Sequence, residues 1–445
     1  MTDILSLEIR IYKESSMRIK ILSLGCRLNQ SEIESISTEL RDRGHVITTG
    51  NDADVIIINS CVVTGLSERK TRQMVYQARR NLVDFNEEKR VIVTGCTSGR
   101  FPDMEGVIYI GNDHKYLIPS LIDNPELINN LGEENASRFG YRVPVKGTRT
   151  RAHLKIQDGC DKFCSYCIIP TVRGLPRSKS LETVISEFQI LVESGYKEIV
   201  LTGVMIGNYR SGASDLSILL SRLIKVSGTF RVHLSSINPD SLCPELNELF
   251  QNEKVVKHLH LSLQSGSDRI LKSMNRRYTG RDYIETIYAI RRIIPDFNFT
   301  TDLIVGFPGE TDNDFDDSLA VIREAGFSHV HTFRYSPRPG TSAAEMDDVV
   351  PEMMKTERSR IVLEASVKQK KEYYSRFENR HSIIISENYK KGHTGGYNEY
   401  YVPVLVKGSL PRNEFREVIT SYSPGKLTLD GVVCDGCTGD NAMGH

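Results

Sequence analysis

Gly159-Cys160-Asp161-Lys162-Phe163-Cys164-Ser165-Tyr166-Cys167-Ile168-Ile169-Pro170 carries three thiols in a C-x3-C-x2-C run. Iron–sulfur cubanes and structural zinc sites normally take four protein ligands. Three thiolates therefore make either an incomplete site or an open one, and an open iron on a cubane can bind and activate a small molecule. No other Cys or His lies within six residues of the run. A zinc knuckle completed from a distance, or three buried apolar thiols, are the alternatives, and the tight spacing favours the open cluster.

Working outward, the run follows the apolar segment AHLKI, the first of six candidate strands between about residues 146 and 376; the others are EIVLT, RVHLS, HLHLS, FTTDLIV and HVHTFRY. Parallel strands alternating with helices suggest an α/β fold with an incomplete (β/α)6 barrel, whose chemistry lies at the C-terminal ends of its strands. The cysteine loop obeys that rule. So do Thr202-Gly203-Val204, Ser235-Ser236, Gln264-Ser265-Gly266 and the Gly306-to-Glu310 turn, which follow later strands and point toward one ligand cavity.

Upstream, from about 18 to 130, the β-branched runs IKILSL, DVIIIN and RVIVTG alternate with helical segments SEIESISTELRDRG and SERKTRQMVYQARR. This is the pattern of a parallel sheet with helices on both faces. Cys26, Cys61 and Cys96 each follow one of these strands, at intervals of 35 residues. Successive parallel strands end on one edge, so the three can share a metal centre. The alternative is three unrelated buried thiols. A polar, basic linker from about 130 to 150 is expected to cross the surface. Downstream of a basic helical stretch, HSIIIS, YYVPVLV, REVITSYS and KLTLDGVV suggest a small antiparallel β-barrel over about 378–437.

A chain of 445 residues needs two or three cores. Its first twenty residues lack an apolar signal-peptide region, no spanning segment is evident, and nine cysteines without a signal argue for reduced thiols in the cytoplasm. Residues 1 to 17 are either disordered or precede a start at Met17. The 57 Lys and Arg balance the 57 Asp and Glu, yet from Arg138 to Lys179 ten cations face two Asp. That segment is a candidate phosphate-binding face, with Arg149 and Arg151 its expected RNA contacts.

Beyond the cysteine run, SLGCRLNQSE, NSCVVTGLSERKTRQ, the VTGC ending at Cys96, LSLQSGSD and TDLIVGFPGE resemble the radical S-adenosylmethionine (SAM) methylthiotransferase family. The resemblance implies two [4Fe-4S] clusters, a radical SAM cluster on Cys160, Cys164 and Cys167 and an auxiliary cluster on Cys26, Cys61 and Cys96. It implies SAM on the open iron of the first, met by Gly203, Ser235, Gln264 and Gly266 and flanked at the adenine by the turn from Gly306; the superfamily's usual Gly-Gly-Glu stands here as Thr202-Gly203-Val204. A reduced cubane can break a sulfonium bond of SAM to release a 5′-deoxyadenosyl radical, while the auxiliary cluster holds the sulfur to be transferred. The C-terminal barrel resembles the TRAM domain, which implies RNA, here the tRNA anticodon loop, and the chemistry implies an electron donor such as flavodoxin or ferredoxin. Arg27-Leu28-Asn29 and Val62-Val63-Thr64 with Arg69-Lys70 are similar to the branch acting on threonylcarbamoyladenosine in tRNA. The isopentenyladenosine branch and the branch modifying a ribosomal-protein aspartate are the alternatives.

Other groups have plainer readings. His153, His233, His258 and His260 lie within predicted strands and are expected to be packed or solvent-facing. Asp312, Asp314, Asp316 and Asp317 lack calcium-loop spacing and are expected to cap a helix. Cys243 reads as structural, and Cys434 and Cys437 as part of an unstructured tail. Tyr397, Tyr400 and Tyr401 could stack on unpaired bases, with at least one facing the core.

Overall fold

The computed structural model describes residues 16–434, apart from 51, 63–64, 83–89, 99–100, 102–103 and 146–149. Arg149, Val63, Thr64, Cys437 and the first fifteen residues thus lie outside the described residues. Near the N-terminus, β1 (Arg18–Ser23), β2 (Val46–Thr48), β3 (Val55–Ser60), β4 (Arg90–Gly95) and β5 (Val107–Ile110) form an all-parallel sheet in the order β2-β1-β3-β4-β5. Alternation along β3 explains the layers. Val55 and Ile57 pack with Ile36 and Leu40 of α1 (Arg27–Asp42) and Ile118 of α3 (Ile118–Asp123). Ile56 and Ile58 pack on the opposite face with Val75 and Ala78 of α2 (Gly65–Leu82). Fully burying each such aliphatic side chain stabilises the fold by about 1.5–3 kcal/mol. The strands that carry the three cysteines, β1, β3 and β4, are adjacent in the sheet. The outer strands β2 and β5 are short and were not legible as apolar runs.

The second unit begins with β6 (Arg151–Lys155), which runs into a short antiparallel pair, β7 (Gln157–Asp158) with β8 (Arg177–Ser178). That pair pinches the base of the cysteine loop, and α4 (Ile169–Arg173) lies inside it. Strands β9 (Glu198–Thr202), β10 (Arg231–Leu234), β11 (His258–His260), β12 (Asn298–Val305) and β13 (His329–Arg334) follow. β6-β9-β10 and β11-β12-β13 are each hydrogen-bonded in parallel, and parallel bridges Val232↔Val255 and Ile237↔Leu261 join them into one arc of six strands. Helices α5 (Leu181–Glu193), α6 (Leu216–Leu223), α7 (Pro244–Leu249), α8 (Asp268–Ser273), α9 (Gly280–Ile293) and α10 (Asp312–Ala325) connect them. Phe188, Phe230, Phe297, Phe299 and Phe327 are fully buried in the core between strands and helices. The acidic cluster caps α10 as expected: Asp314 closes a capping box with Thr311 and binds Ser267, and Asp312 pairs with Arg358.

α11 (Glu352–Ser375) leads into a closed barrel of β14 (Arg380–Lys390), β15 (His393–Tyr397), β16 (Pro403–Lys407), β17 (Phe415–Ser421) and β18 (Leu429–Val433), ordered β14-β15-β16-β18-β17. The barrel is not wholly antiparallel, because β16 and β18 pair in parallel. It docks on the strand starts of the central arc. Lys257 N–H donates to the Glu399 carbonyl (2.8 Å), Asn298 Nδ2 to the Tyr400 carbonyl (2.7 Å) and Arg231 to the Ile383 carbonyl (2.6 Å). The C-terminal barrel therefore lies at the end of the arc opposite the cysteine loop.

This docking corrects two expectations. Arg151 pairs with Glu198 and Glu387 and lies over the rings of Tyr397 and Tyr401, so it is a tie between units and not a phosphate contact. Tyr401 stacks on His258 (4.8 Å) and on Tyr397 (4.6 Å), while Tyr400 packs on Phe377 and Arg380, so the three tyrosines serve the interface rather than unpaired bases. His233 is buried between His258 and Glu198, and burial drives both imidazoles toward the neutral form, His233 down to about 4.

Candidate active site

Each auxiliary cysteine is set by the residue before it or by a staple beside it. Gly25 has φ +122°, and a Cβ there would come within 2.5 Å of Asn29 Nδ2. Cys26 can therefore turn straight into the N-cap of α1. At Gly95, φ is +93° and a Cβ would meet the Ser60 carbonyl at 2.5 Å, so only glycine lets the β4 end lie against the β3 end. Asn29 Nδ2 donates to the Leu24 (3.1 Å) and Ser60 (2.9 Å) carbonyls, and Ser60 Oγ accepts from Thr97 N–H (3.0 Å). These bonds knit the three cysteine-bearing turns together.

The strand-end edge faces the mouth of the central arc. A cavity of 640 Å³ lies between them, lined by Cys26, Cys61 and Cys96 on one side and by Thr202, Gly203, Ser235, His260, Asp302 and His331 on the other, with Arg27, Ile169 and Arg173 at its border. The second triad borders the same junction. Ile168, next to Cys167, packs with Val62 and Cys96. Ser165 N–H donates to the Met274 carbonyl (3.2 Å), and Asn275 Nδ2 to the Lys162 and Phe163 carbonyls (3.1 and 3.0 Å). Phe163 sits at φ +46° at the tip of this turn.

Both triads have chemistry suited to a cluster. An arginine donates to one thiol of each: Arg173 Nε to Cys96 Sγ (3.4 Å) and Arg276 Nη1 to Cys164 Sγ (3.5 Å). A guanidinium favours thiolate over thiol. Without metal, burial pushes the Cys160 thiol up and that of Cys167 up to about 12, so loading must release protons. Among the described residues no three His, Cys, Asp or Glu converge to chelate one ion. A cubane does not require that, since each thiolate binds a different iron. Among the described residues the buried Ser235 hydroxyl has no hydrogen-bond partner, which suits a polar cofactor at the cavity wall.

Gln264, Gly266 and Gly306 are not among the residues lining this cavity. Gln264 takes φ +70° and pairs by backbone with β12. A Cβ on Gly266 would meet Ser318 Cα at 2.5 Å, and one on Gly306 would meet Lys355 at 2.3 Å. These two glycines permit close packing against α10 and α11.

The basic segment is also corrected. Arg173 is buried and donates to Glu32 (3.0 and 3.3 Å), Asp158 (2.9 Å) and Asn29 (2.7 Å). Lys155 bridges Glu32 and Asp158 at 2.7 Å each, Lys115 meets Glu32 at 2.6 Å, and Arg138 pairs with Asp113. Lys179 pairs with Glu187 and Lys162 with Asp240. Burial opposes ionisation of Glu32, yet Arg173, Lys115 and Lys155 together hold its carboxyl well below the usual carboxylate range. Arg151, Lys155 and Arg173 of the segment thus satisfy buried acids, while Arg138, Lys162 and Lys179 are paired with less buried ones. Glu32 lies 123 residues from Lys155 and 141 from Arg173, a separation that no local count could show.

Sequence reasoning missed His260 as a cavity residue. Its Nε2 lies 3.2 Å from Asp302 Oδ2, and both face the auxiliary cysteines together with His331. Their positions on β11, β12 and β13 would have been legible from strand phase. Cys243 is the N-cap residue of α7, and Cys434 N–H bonds the Glu417 carbonyl (3.1 Å).

Residues 154–322 match the radical SAM superfamily, and residues 18–105 match the uncharacterized protein family UPF0004. The chain is 39% identical over 397 residues to the threonylcarbamoyladenosine tRNA methylthiotransferase MtaB of Thermotoga maritima, covering 86% of this chain and 90% of that protein. It is 38% identical to the MtaB of Bacillus subtilis, covering 87% and 90%. The chain belongs to the radical SAM methylthiotransferase family. Within that family it is 30% identical to the tRNA-2-methylthio-N(6)-dimethylallyladenosine synthase of Thermodesulfovibrio yellowstonii, covering 90% and 95%. Among solved structures, the cobalamin-dependent S-adenosylmethionine radical enzyme OxsB shares the fold of the methylthiotransferase over 75% of this chain and 54% of its own, with a TM-score of 0.50 and 12% identity.

Proposed function

We propose that this chain is a tRNA methylthiotransferase acting at C2 of N6-threonylcarbamoyladenosine at position 37, just 3′ of the anticodon. The observation that carries the reading is the convergence of Cys26, Cys61 and Cys96 on a cavity at the mouth of the central arc, beside which the Cys160-to-Cys167 loop packs through Ile168, with an arginine on one thiol of each triad. Cys160, Cys164 and Cys167 would hold the radical SAM [4Fe-4S] cluster and Cys26, Cys61 and Cys96 the auxiliary one. When bound, the clusters and SAM supply a carbon radical and a sulfur for transfer. The chain's own residues orient and enclose: Gly203 and Ile169 line the cavity, and Ser235 offers its hydroxyl to SAM. Gln264, at the next strand end, is the remaining candidate for contact with SAM.

The choice of threonylcarbamoyl over dimethylallyl substrate is supported by one cation at the cavity wall. Arg27 lines it and makes no ion pair with any described residue. The threonyl group carries a carboxylate, which a guanidinium can take through two hydrogen bonds. An aliphatic substituent would leave that charge unpaired.

We assign boundaries of 18–130 for the auxiliary-cluster unit, 146–376 for the radical SAM unit and 378–437 for a TRAM-like RNA-binding unit. The exposed Tyr389, Lys390 and Lys391 at the β14–β15 hairpin are the latter's candidate RNA contacts. An electron donor such as flavodoxin or ferredoxin and a cytoplasmic location complete the reading. Among the described residues no helix is long and apolar enough to cross a membrane. Mass spectrometry of tRNA nucleosides from a strain lacking the gene tests the function: the methylthiolated threonylcarbamoyladenosine should vanish and its unmethylthiolated precursor accumulate. Loss of the dimethylallyl-derived product instead would overturn the substrate.

A further inference from the structure

With Arg151, Lys155 and Arg173 committed to buried acids and the C-terminal barrel at the far end of the arc, a polyanion entering the cavity would be guided by a further electropositive surface beside its mouth. Helix α2 provides one. It starts four residues after Cys61, and its first turn abuts the loop that follows β13: a Cβ at Gly65 would lie 3.0 Å from Ser336 Oγ, and Glu68 pairs with Arg338 at 3.4 Å. From there the helix leads away from the cavity, carrying Arg69, Lys70, Arg72, Arg79 and Arg80 against the single carboxylate of Glu68.

The side chains are arranged as a track. Arg69, Arg72, Gln73, Tyr76, Gln77 and Arg80 fall three or four residues apart along one face and line a groove of 410 Å³. All six are exposed, Tyr76 by 47%. Arg72 reaches Glu68 only at 3.9 Å, and Arg69, Lys70 and Arg80 have no ion pair among the described residues. Some exposed helical cations elsewhere are balanced, as Arg360 is by Glu357 and Glu364 on α11 and Arg281 by Glu285 on α9, whereas on α2 five cations share one carboxylate. Like charges three or four residues apart destabilise a helix, so an unbalanced stripe gains when a polyanion neutralises it.

We infer that the exposed face of α2 is the track on which the anticodon arm of the substrate tRNA lies, with Arg69, Arg72 and Arg80 on phosphates and Tyr76 stacked on an unpaired loop base. This rests on the functional reading above and adds the surface that delivers the nucleotide. The stripe begins beside the auxiliary cysteines, so a nucleotide splayed from the loop enters the cavity while its neighbours follow the helix.

The test uses the full-length, cluster-reconstituted enzyme and tRNA bearing threonylcarbamoyladenosine, with affinity measured by fluorescence anisotropy from about 50 to 300 mM salt. Each phosphate contact contributes about 0.7 to 0.9 to the slope of log affinity against log salt. An Arg69→Gln, Arg72→Gln, Arg80→Gln variant should therefore lose about two units of slope and bind at least roughly tenfold more weakly at low salt. The matching Arg→Lys triple variant should keep the wild-type slope, which separates charge from any damage to the helix. Tyr76→Ala should weaken binding by roughly fivefold or more, as for a lost base stack. Wild-type slope and affinity in the Gln triple variant, or loss of slope in the Lys one, would overturn the track alone. A wild-type protein that does not bind this tRNA would overturn the functional reading and the track with it.

Discussion

Arg173→Met is the perturbation that bears most on how the two cysteine sites are held together. Arg173 belongs to the radical SAM cysteine loop, yet it donates to Glu32 and Asn29 of α1 and to Cys96 Sγ, with Asp158 as its anchor on β7. Breaking a buried ion pair from one side costs about 3–5 kcal/mol. Lys155 still bridges both carboxylates and Lys115 still meets Glu32, which places the loss near the lower limit, about 3 kcal/mol. That corresponds to roughly a hundredfold weaker junction. Native-state hydrogen exchange on the metal-free protein reads it directly, as faster opening of α1 and α4 amides with little change in the C-terminal barrel. In a double-mutant cycle with Glu32→Gln, coupling of about 2–3 kcal/mol is expected. The pH dependence has a fixed sign. Burial opposes charge on Glu32 and Asp158, and their cations more than offset it, so both titrate below the ordinary range. Their stabilisation is present above about pH 4 and is lost as pH falls through the depressed values. Without Arg173 that depression shrinks, so acid opening of the junction should begin at higher pH in the variant. Coupling below about 0.5 kcal/mol, with an unshifted acid midpoint, would refute the network as a joint.

Three further outcomes follow from the site. Anaerobic reconstitution should load about eight irons per chain, falling to about four in a Cys160/Cys164/Cys167→Ala variant, by the stoichiometry of cubanes; unchanged iron would remove the first triad from the account. A Cys26/Cys61/Cys96→Ala variant should still cleave SAM reductively while forming no methylthio product, and full product formation would make the second triad structural. Arg27→Gln should retain both iron and binding of tRNA with unmodified adenosine at position 37, while losing roughly tenfold or more of the preference for the threonylcarbamoyl form, as for a charged pair left unmade. An unaltered preference would exclude Arg27 as the reader of the carboxylate.

Both triads were legible because their spacing is local or tied to strand ends. Cys26, Cys61 and Cys96 stand at the ends of β1, β3 and β4, and parallel strands bring such ends together whatever the helices do between them. The order of the sheet was not legible. β2 has only three residues and β5 only four, too few for a period to show. The fate of the cations was lost for a different reason: a lysine such as Lys115, fully buried on Glu32, looks in sequence like any surface lysine. Tyr401 has a local signal, the turn it occupies at φ +60°, but its stacking on His258 depends on how two units dock. Gly266 and Gly306 illustrate the same limit, since a glycine after a strand marks a close approach without saying whether a ligand or a helix does the approaching.

The central claim is that a radical-generating triad and a sulfur-donating triad meet at one junction and act on a substrate carrying a threonyl carboxylate. Purified, reconstituted enzyme supplied with SAM and a reductant should be given tRNA bearing threonylcarbamoyladenosine and, separately, tRNA bearing dimethylallyladenosine, with nucleoside masses read after digestion. The account predicts that a methylthio group, with retention of the threonylcarbamoyl mass, appears on the first and is nearly absent from the second. Equal turnover of both, or methylthiolation of a ribosomal protein in place of either, would contradict it.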